Sequence, residues 1–489
     1  MHLVRLFHVS GVWGQSRKRA LPAQSSARAP YLTRQLPPLD SPHAFDVSVF
    51  AVRIIVQRGP PPVVALMRKP SLLVIFLTVF IDLVGFGIVL PLLPVYSRNF
   101  GASDLVVGFI MASFSLMQFL FAPAWGRLSD RIGRRPVLLV STFGAALSYA
   151  VFAYGSTLGG TAALTILLAS RIVAGICGAN ITVAQAYIAD ITPPSERSKK
   201  MGLIGMAFGL GFICGPLLGG YASTRLGLWG PGCVAAVICA ANFLLALAVL
   251  PESRRADSSP VAPRPRLSQW THVLRRPTIG LLVTIFFLAT FCFTCFEMTL
   301  GLLVIDNFHL DLVRDAGTVA VLFAFCGIVS AFVQGGPIGK LVKKMGEPRL
   351  IAVSLLLVAI SMIPMPFIHG NGPLSWGVLG TKAGWPWWQL LFVLAILAIG
   401  SGLTRPPLFG MLSILTPEHE QGETIGVAQS AGSLARIAGP IFAGALFHLH
   451  PTWPYVVCGI IALITAIIAW QRLCRSESVL LAAKAQGSF

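Results

Sequence analysis

Charge is what this 489-residue sequence lacks most: Asp, Glu, Lys and Arg together make up 11% of it, whereas soluble domains carry about 25%. With 55% hydrophobic residues and a mean hydropathy of +0.77, that scarcity excludes an ordinary soluble domain. Acidic residues are the scarcer sign, 18 against 37 basic, for a formal net charge of +19. Such a surplus could serve a nucleic acid, but the basic residues fall in short loops on alternate sides of apolar runs. The positive-inside rule produces that distribution, so the partner implied is a lipid bilayer and not a nucleic acid. The nine cysteines are scattered through apolar segments and make no disulfide framework. Cys292-x-x-Cys295 has no His or Cys beside it along the chain and reads as packing. A Gly-x-x-x-x-Gly-Lys-Ser/Thr loop is missing, which removes the usual signature of ATP use. No group of His, Cys or carboxylates has catalytic or metal-ligand spacing, so no enzyme, cofactor or metal site is expected.

Residues 1–66 hold Arg5, Arg17, Lys18, Arg19, Arg28, Arg34, Arg53 and Arg58 against only Asp40 and Asp46, and contain no 18-residue apolar run, so no span lies there. Two readings stand: an organelle transit peptide, or translation that begins at Met67, where Met-Arg-Lys-Pro leads straight into the first apolar run. Either way a basic, Pro- and Ser-rich extension is expected to be disordered.

From Ser71 onward, about twelve runs approach the roughly 20 residues a helix needs to cross hydrocarbon. They cover 71–94, 104–125, 136–155, 162–187, 200–221, 231–250, 278–303, 317–338, 349–368, 388–411, 423–447 and 453–471. Arg127–Arg135, Glu196–Lys200, Arg254–Arg276, Lys340–Arg349 and the tail from Arg472 hold most of the positive charge, while the alternate loops are poor in Lys and Arg. Both termini and the middle loop are therefore expected in the cytoplasm. The Pro- and Arg-rich stretch 251–277 reads as a flexible linker. It divides the chain into a first six-helix bundle at 67–250 and a second at 278–473, followed by a tail at 474–489. Lys340-Leu-Val-Lys-Lys-Met-Gly-Glu-Pro-Arg349 sits after span 8 where Gly126-Arg-Leu-Ser-Asp-Arg-Ile-Gly-Arg-Arg135 sits after span 2, a degenerate internal repeat.

The segment Gly126–Arg135 packs Asp130, Arg131, Arg134 and Arg135, with Gly126 and Gly133, into a turn too charged to face lipid. It resembles the loop between helices 2 and 3 of major facilitator superfamily transporters at every diagnostic position. The resemblance implies an all-α membrane protein of twelve spans in two pseudo-symmetric bundles, and a loop whose carboxylate and guanidiniums switch partners to gate the cytoplasmic side.

Charges inside spans are costly unless paired or hydrated, which marks them as functional candidates. Asp82 lies mid-span in Phe80-Ile-Asp-Leu-Val-Gly-Phe-Gly87, Arg171 in span 4, Glu297 in span 7, and Arg405 and Arg436 in spans 10 and 11. Asp82 and Glu297 are read as proton carriers and Arg171 as the residue that tunes a neighbouring carboxylate. For Arg405 and Arg436, a transport role and a structural one stay open. In span 5, Gly211, Gly215, Pro216, Gly219 and Gly220 leave a smooth stripe for close helix approach. The same residues resemble the antiporter signature of the superfamily, with Arg436, Gly439 and Pro440 as second-half equivalents.

Across nearly all of 71–471 the chain resembles the tetracycline/proton antiporters and their multidrug-exporting relatives. Matching segments include Asp82–Pro94, Leu116–Pro123, Asp130–Leu139, Arg171–Gly175, Ala186–Thr192, Gly215–Gly219 and Pro251-Glu-Ser253. Ser148, Ser330 and Val358 stand near positions where tetracycline pumps carry an aspartate, a histidine and an aspartate, which argues against tetracycline itself. What the resemblance implies is a monomeric exporter, driven by the proton gradient, of amphiphilic small molecules across a bacterial inner membrane. Its cavity would be lined by Phe86, Gln118, Phe208, Phe291, Phe293, Phe296 and Arg405. A metabolite uniporter or symporter is the alternative, and a non-transporting membrane receptor a more distant one.

Overall fold

In the computed structural model the described residues are 71–178, 180–193, 197–253, 266–311, 314–416 and 420–485. The readings made for 1–66, and those for 254–265 of the middle loop, lie outside them. Twelve helices among the described residues are long and apolar enough to cross a bilayer. In chain order they are α1 Leu72–Asn99, α2 Asp104–Ile132, α3 Arg134–Gly155, α4 Gly160–Ile191, α5 Leu203–Leu226, α6 Gly230–Val249, α7 Pro277–Phe308, α8 Ala316–Gly335, α9 Glu347–Phe367, α10 Lys382–Leu415, α11 Thr424–Leu449 and α12 Trp453–Cys474. Helices are the economical choice here, because hydrocarbon offers no water to satisfy a backbone N–H or C=O.

Three elements depart from the expected organisation. Helix Arg266–Leu274 occupies part of the stretch read as a flexible linker. The final helix continues without a break to Ala485, through most of the stretch read as a tail. The second-half loop is itself helical at Ile338–Met345.

The two halves meet through α2 against α11 and α5 against α8, pairings that are equivalent under a six-helix repeat. The repeat extends to the turns. Gly133 joins α2 to α3 at φ 104°, ψ 162°, and Gly346 joins helix Ile338–Met345 to α9 at φ 77°, ψ 156°. A positive φ is readily adopted only by glycine, which explains the residue at both junctions.

The apolar core shows how the halves are arranged. One cluster runs through both bundles at the end opposite the basic loops, joining Leu92, Val95 and Tyr96 of α1 to Met298, Leu302 and Phe308 of α7 and Val319 of α8. At the basic end the cores stay separate. One holds Ile75, Val79, Leu138, Tyr187 and Ala246 of the first bundle, the other Ile279, Leu282, Leu355, Met411 and Ala466 of the second. The halves are therefore sealed at the far end and parted at the basic end. Trp385, Trp388 and Trp453 are exposed at the far end, where amphipathic rings suit a membrane–water interface.

Candidate functional site

Between the parted halves lies a cavity of about 880 Å³, within the usual range for small-molecule sites. Asp82, Phe86, Gln118, Arg171 and Phe208 line it from the first bundle, and Phe293, Glu297, Arg405, Arg436 and Pro440 from the second. Phe296 also reaches it, whereas Phe291 does not and instead packs between Phe287 and Phe442. Ser330 and Val358 line the wall, while Ser148 is buried away from it and donates its hydroxyl to the Ala145 carbonyl.

Each ionisable side chain is held in its own way. Arg171 is 2% exposed and lies 5.2 and 5.4 Å from the ring centres of Tyr149 and Phe152. Its Nε and Nη2 are buried without a hydrogen-bond acceptor. Glu297 is 8% exposed, in the second half of α7, with Arg436 close enough to interact electrostatically. Arg405 reaches into the cavity beside the contacting rings of Phe286 and Phe409, 5.8 and 5.7 Å from their centres, and Arg436 donates to Ser433 Oγ at 3.3 Å. Tyr149, which shares the Arg171 niche and lines the cavity, carries no sequence signal beyond being an apolar-helix tyrosine.

Helix α4 is interrupted where it meets the cavity, running Gly160–Cys177 and resuming at Asn180–Ile191. A broken helix exposes carbonyls that need donors. Gln118 Nε2 donates to Gly178 O at 3.0 Å and Trp125 Nε1 to Ile176 O at 2.5 Å, both from α2. Gln118 is thus committed on one side to the α4 break and faces the cavity on the other.

The glycines of α5 divide by face. A Cβ on Gly215 would stand 2.5 Å from the Gly87 carbonyl carbon, one on Gly219 2.6 Å from Ile88 O, and one on Gly211 3.0 Å from Leu83. These three form the seam against α1 inside the first bundle, away from the cavity. Gly220 faces Ala320 and Gly317 across the interface between the halves. Pro216 sits within a helix that continues through it. Gly439 packs against Thr294 of α7 inside the second bundle, and Pro440 meets Gly108 of α2 across the interface.

The charged loop is organised around Arg134. Its Nη1 lies 2.6 Å from Asp130 Oδ1 and its Nε 3.0 Å from Asp190 Oδ2, with Ser129 Oγ also 2.6 Å away. Glu252 accepts the backbone N–H groups of Arg134 at 2.8 Å and Arg135 at 3.0 Å, which caps the start of α3. A Cβ on Gly133 would stand 2.5 Å from Glu252 Oε2, so this glycine answers both to φ and to the carboxylate. Ser253 closes the ring by donating to Asp190 at 3.2 Å. Arg135 Nη2 reaches Leu247 O, Arg131 is exposed, and Gly126 has open space around it. Every one of these contacts lies within the first bundle or between it and the two residues Glu252 and Ser253 that follow it. Asp190 and Glu252 belong to the segments Ala186–Thr192 and Pro251–Ser253, and nothing local marked them as partners of Arg134.

Two further groupings were not legible along the chain. Arg98 at the end of α1 meets Asp306 of α7 through both carboxylate oxygens, at 2.8 and 2.9 Å, an ion pair that ties the halves at the sealed end. Cys458 of α12 comes against Cys292 and Cys295, so the pair does have a cysteine neighbour in space. The described residues contain no His, Cys, Asp or Glu grouping able to hold a metal.

Comparison with known proteins matches residues 75–385 and 374–486 to the family model of the Major Facilitator Superfamily. The tetracycline resistance protein, class C, of Escherichia coli is 34% identical over 390 residues, covering 78% of this chain and 91% of that protein. The crystal structure of the human organic anion transporter MFSD10 (TETRAN) superposes with a TM-score of 0.56 at 27% identity, covering 84% of this chain and 100% of that one. A D-xylose-proton symporter shares the fold at 18% identity, with a TM-score of 0.63 over 82% of this chain and 97% of its own.

Proposed function

The chain belongs to the Major Facilitator Superfamily as a multi-pass membrane transporter, and within it we propose a proton-coupled antiporter that exports amphiphilic small molecules. The observation that carries this reading is the placement of Asp82 and Glu297, one from each half, on the walls of a single aromatic-lined cavity. A carboxyl that alternates between two sides of a membrane can carry a proton only if each side reaches it in turn. Here the far end is closed by the fused core and the Arg98–Asp306 pair, while the basic end is parted. With the basic end in the cytoplasm, this conformation admits substrate from inside. Closure at the basic end and release at the far end would then expose the carboxyls to external protons, and inward release of those protons resets the cycle.

The reading extends to a bacterial inner membrane, both termini in the cytoplasm, a monomer, no cofactor, and drive from the proton gradient alone. The function is transport, not catalysis. Tetracycline resistance is in the names of several relatives, but Ser148, Ser330 and Val358 leave tetracycline a weak candidate for this chain.

The test is efflux from a pump-deficient host, with and without an imposed proton gradient, for the intact chain, Asp82→Asn and Glu297→Gln. Gradient-driven efflux that disappears in both variants supports the reading. Efflux that ignores the gradient, or variants that match the intact chain, would show that these carboxyls do not couple it to protons.

A further inference from the structure

The two charged turns of the repeat put their charges to different uses. Aligned on the glycines of positive φ, Gly133 and Gly346, the run Gly126-Arg-Leu-Ser-Asp-Arg-Ile-Gly133 stands against Gly339-Lys-Leu-Val-Lys-Lys-Met-Gly346. Lys343 thus takes the place of Asp130, and Glu347 that of Arg134. In the first half Arg134 is held inside the chain by Asp130 and Asp190. In the second half apolar contacts hold the turn instead: Ile338, Leu341, Val342 and Met345 pack on Val333, Leu350 and Leu403. Lys340, Lys343 and Lys344, related as i, i+3 and i+4, share the opposite face and are exposed. Among the described residues no ion pair or hydrogen bond joins any of these three lysines to a partner. Glu347 is the one carboxylate in 336–349. Three ammonium groups on one helical face repel each other unless the counter-charge comes from outside the chain.

The neighbouring helices show what lies beside that face. On α8, Val321, Ile328 and Phe332 are exposed at helical spacing and do not line the cavity, so they form a lipid-facing stripe that ends just before the lysine helix. On α9, Leu356, Ile360 and Ile363 form a second such stripe. Arg349 is exposed on the same face of α9, two turns before Leu356, at the basic end of that stripe. Basic side chains where two lipid-facing stripes end stand at the depth of phospholipid headgroups. The stripes also distinguish a lipid from a soluble acidic partner, since they offer apolar surface to acyl chains.

We propose that Lys340, Lys343 and Lys344, with Arg349 beside them, dock the headgroups of anionic phospholipid, whose acyl chains lie along the exposed stripes of α8 and α9. In the first half the corresponding Asp130 would repel such a headgroup, so the site belongs to the second half. It holds the basic end of the second bundle in its leaflet, whatever the cavity carries.

The experiment titrates the purified full chain in neutral detergent with phosphatidylglycerol and, separately, with phosphatidylcholine, and counts bound lipid by native mass spectrometry. The expected result is a preference for phosphatidylglycerol. It should fall about tenfold or more in the combined variant Lys340→Gln, Lys343→Gln and Lys344→Gln, since each basic group at a membrane surface contributes about fivefold. The combined variant Lys340→Arg, Lys343→Arg and Lys344→Arg should keep it. A preference that survives in the glutamine variant, or is absent from the intact chain, overturns the proposal. Glycerol 3-phosphate separates a lipid from a free phosphate: if it displaces phosphatidylglycerol at comparable concentration, the site is one for soluble phosphate and lipid docking fails. Should the glutamine variant fold poorly, the melting point of the intact chain decides. Phosphatidylglycerol must raise it more than phosphatidylcholine, and high salt must remove the difference; equal effects of the two lipids overturn the site.

Discussion

Replacement of Gly215 by alanine should loosen the first bundle, and the size of the effect follows from the backbone. The new Cβ would stand 2.5 Å from the Gly87 carbonyl carbon and 2.6 Å from its Cα, where ordinary contact begins at 3.4 Å, so α1 and α5 would have to part by roughly 0.9 Å along that direction. Both obstructing atoms are main chain, so no side chain can swing aside. Overpacking of this kind costs about 1–3 kcal/mol, and the upper part of that range is expected because Gly219 holds the same seam one turn on, at 2.6 Å from Ile88 O. For a unit the size of one bundle, each kcal/mol corresponds to about 2–4 °C in Tm. Gly215→Ala should therefore unfold several degrees below the intact chain when melting in detergent is followed by intrinsic fluorescence. Gly209→Ala is the control on the same helix, since a Cβ there meets nothing within 4 Å. If the two variants melt together, the α1–α5 seam is not the close contact described, and the argument for the glycine stripe as packing fails with it.

Other consequences can be checked with similar means. Arg98→Ala or Asp306→Asn removes the ion pair at the sealed end; both side chains are about one-third exposed, at 30% and 33%, so the loss is about 1 kcal/mol or less. That is roughly a fivefold shift towards the far-end-open state at most, read as faster maleimide labelling of a Val95→Cys probe, and the exchange Arg98→Asp with Asp306→Arg should restore protection. Glu252→Ala removes the acceptor for two N–H groups at the start of α3, at about 0.5–2 kcal/mol. Its melting point should fall, whereas an unchanged melting point would mean the cap contributes nothing. The substitutions at Asp82 and Glu297 should abolish gradient-driven efflux, as tested above.

Much of this molecule is written in single segments of its sequence. The number of spans, the alternation of basic and acid-poor loops and the charged turn at Gly126–Arg135 depend on residues close together in the chain, because bilayer thickness and loop charge act on each segment alone. Candidates for the cavity were also legible, since a charge inside an apolar span stands out: Asp82, Arg171, Glu297, Arg405 and Arg436 were all marked that way and all line it. Which face each helix turns inward was not. A span that is apolar on every side offers no stripe to orient it, so α5 could not reveal that Gly215 packs on α1 while Gly220 faces α8. Nor could local sequence supply partners. Arg134 finds Asp190 56 residues away, Arg98 finds Asp306 208 residues away, and Cys292 finds Cys458 at a separation of 166. Those pairings, the fused core at one end and the parted cores at the other, arise from how one half packs against the next, and only the tertiary structure decided them.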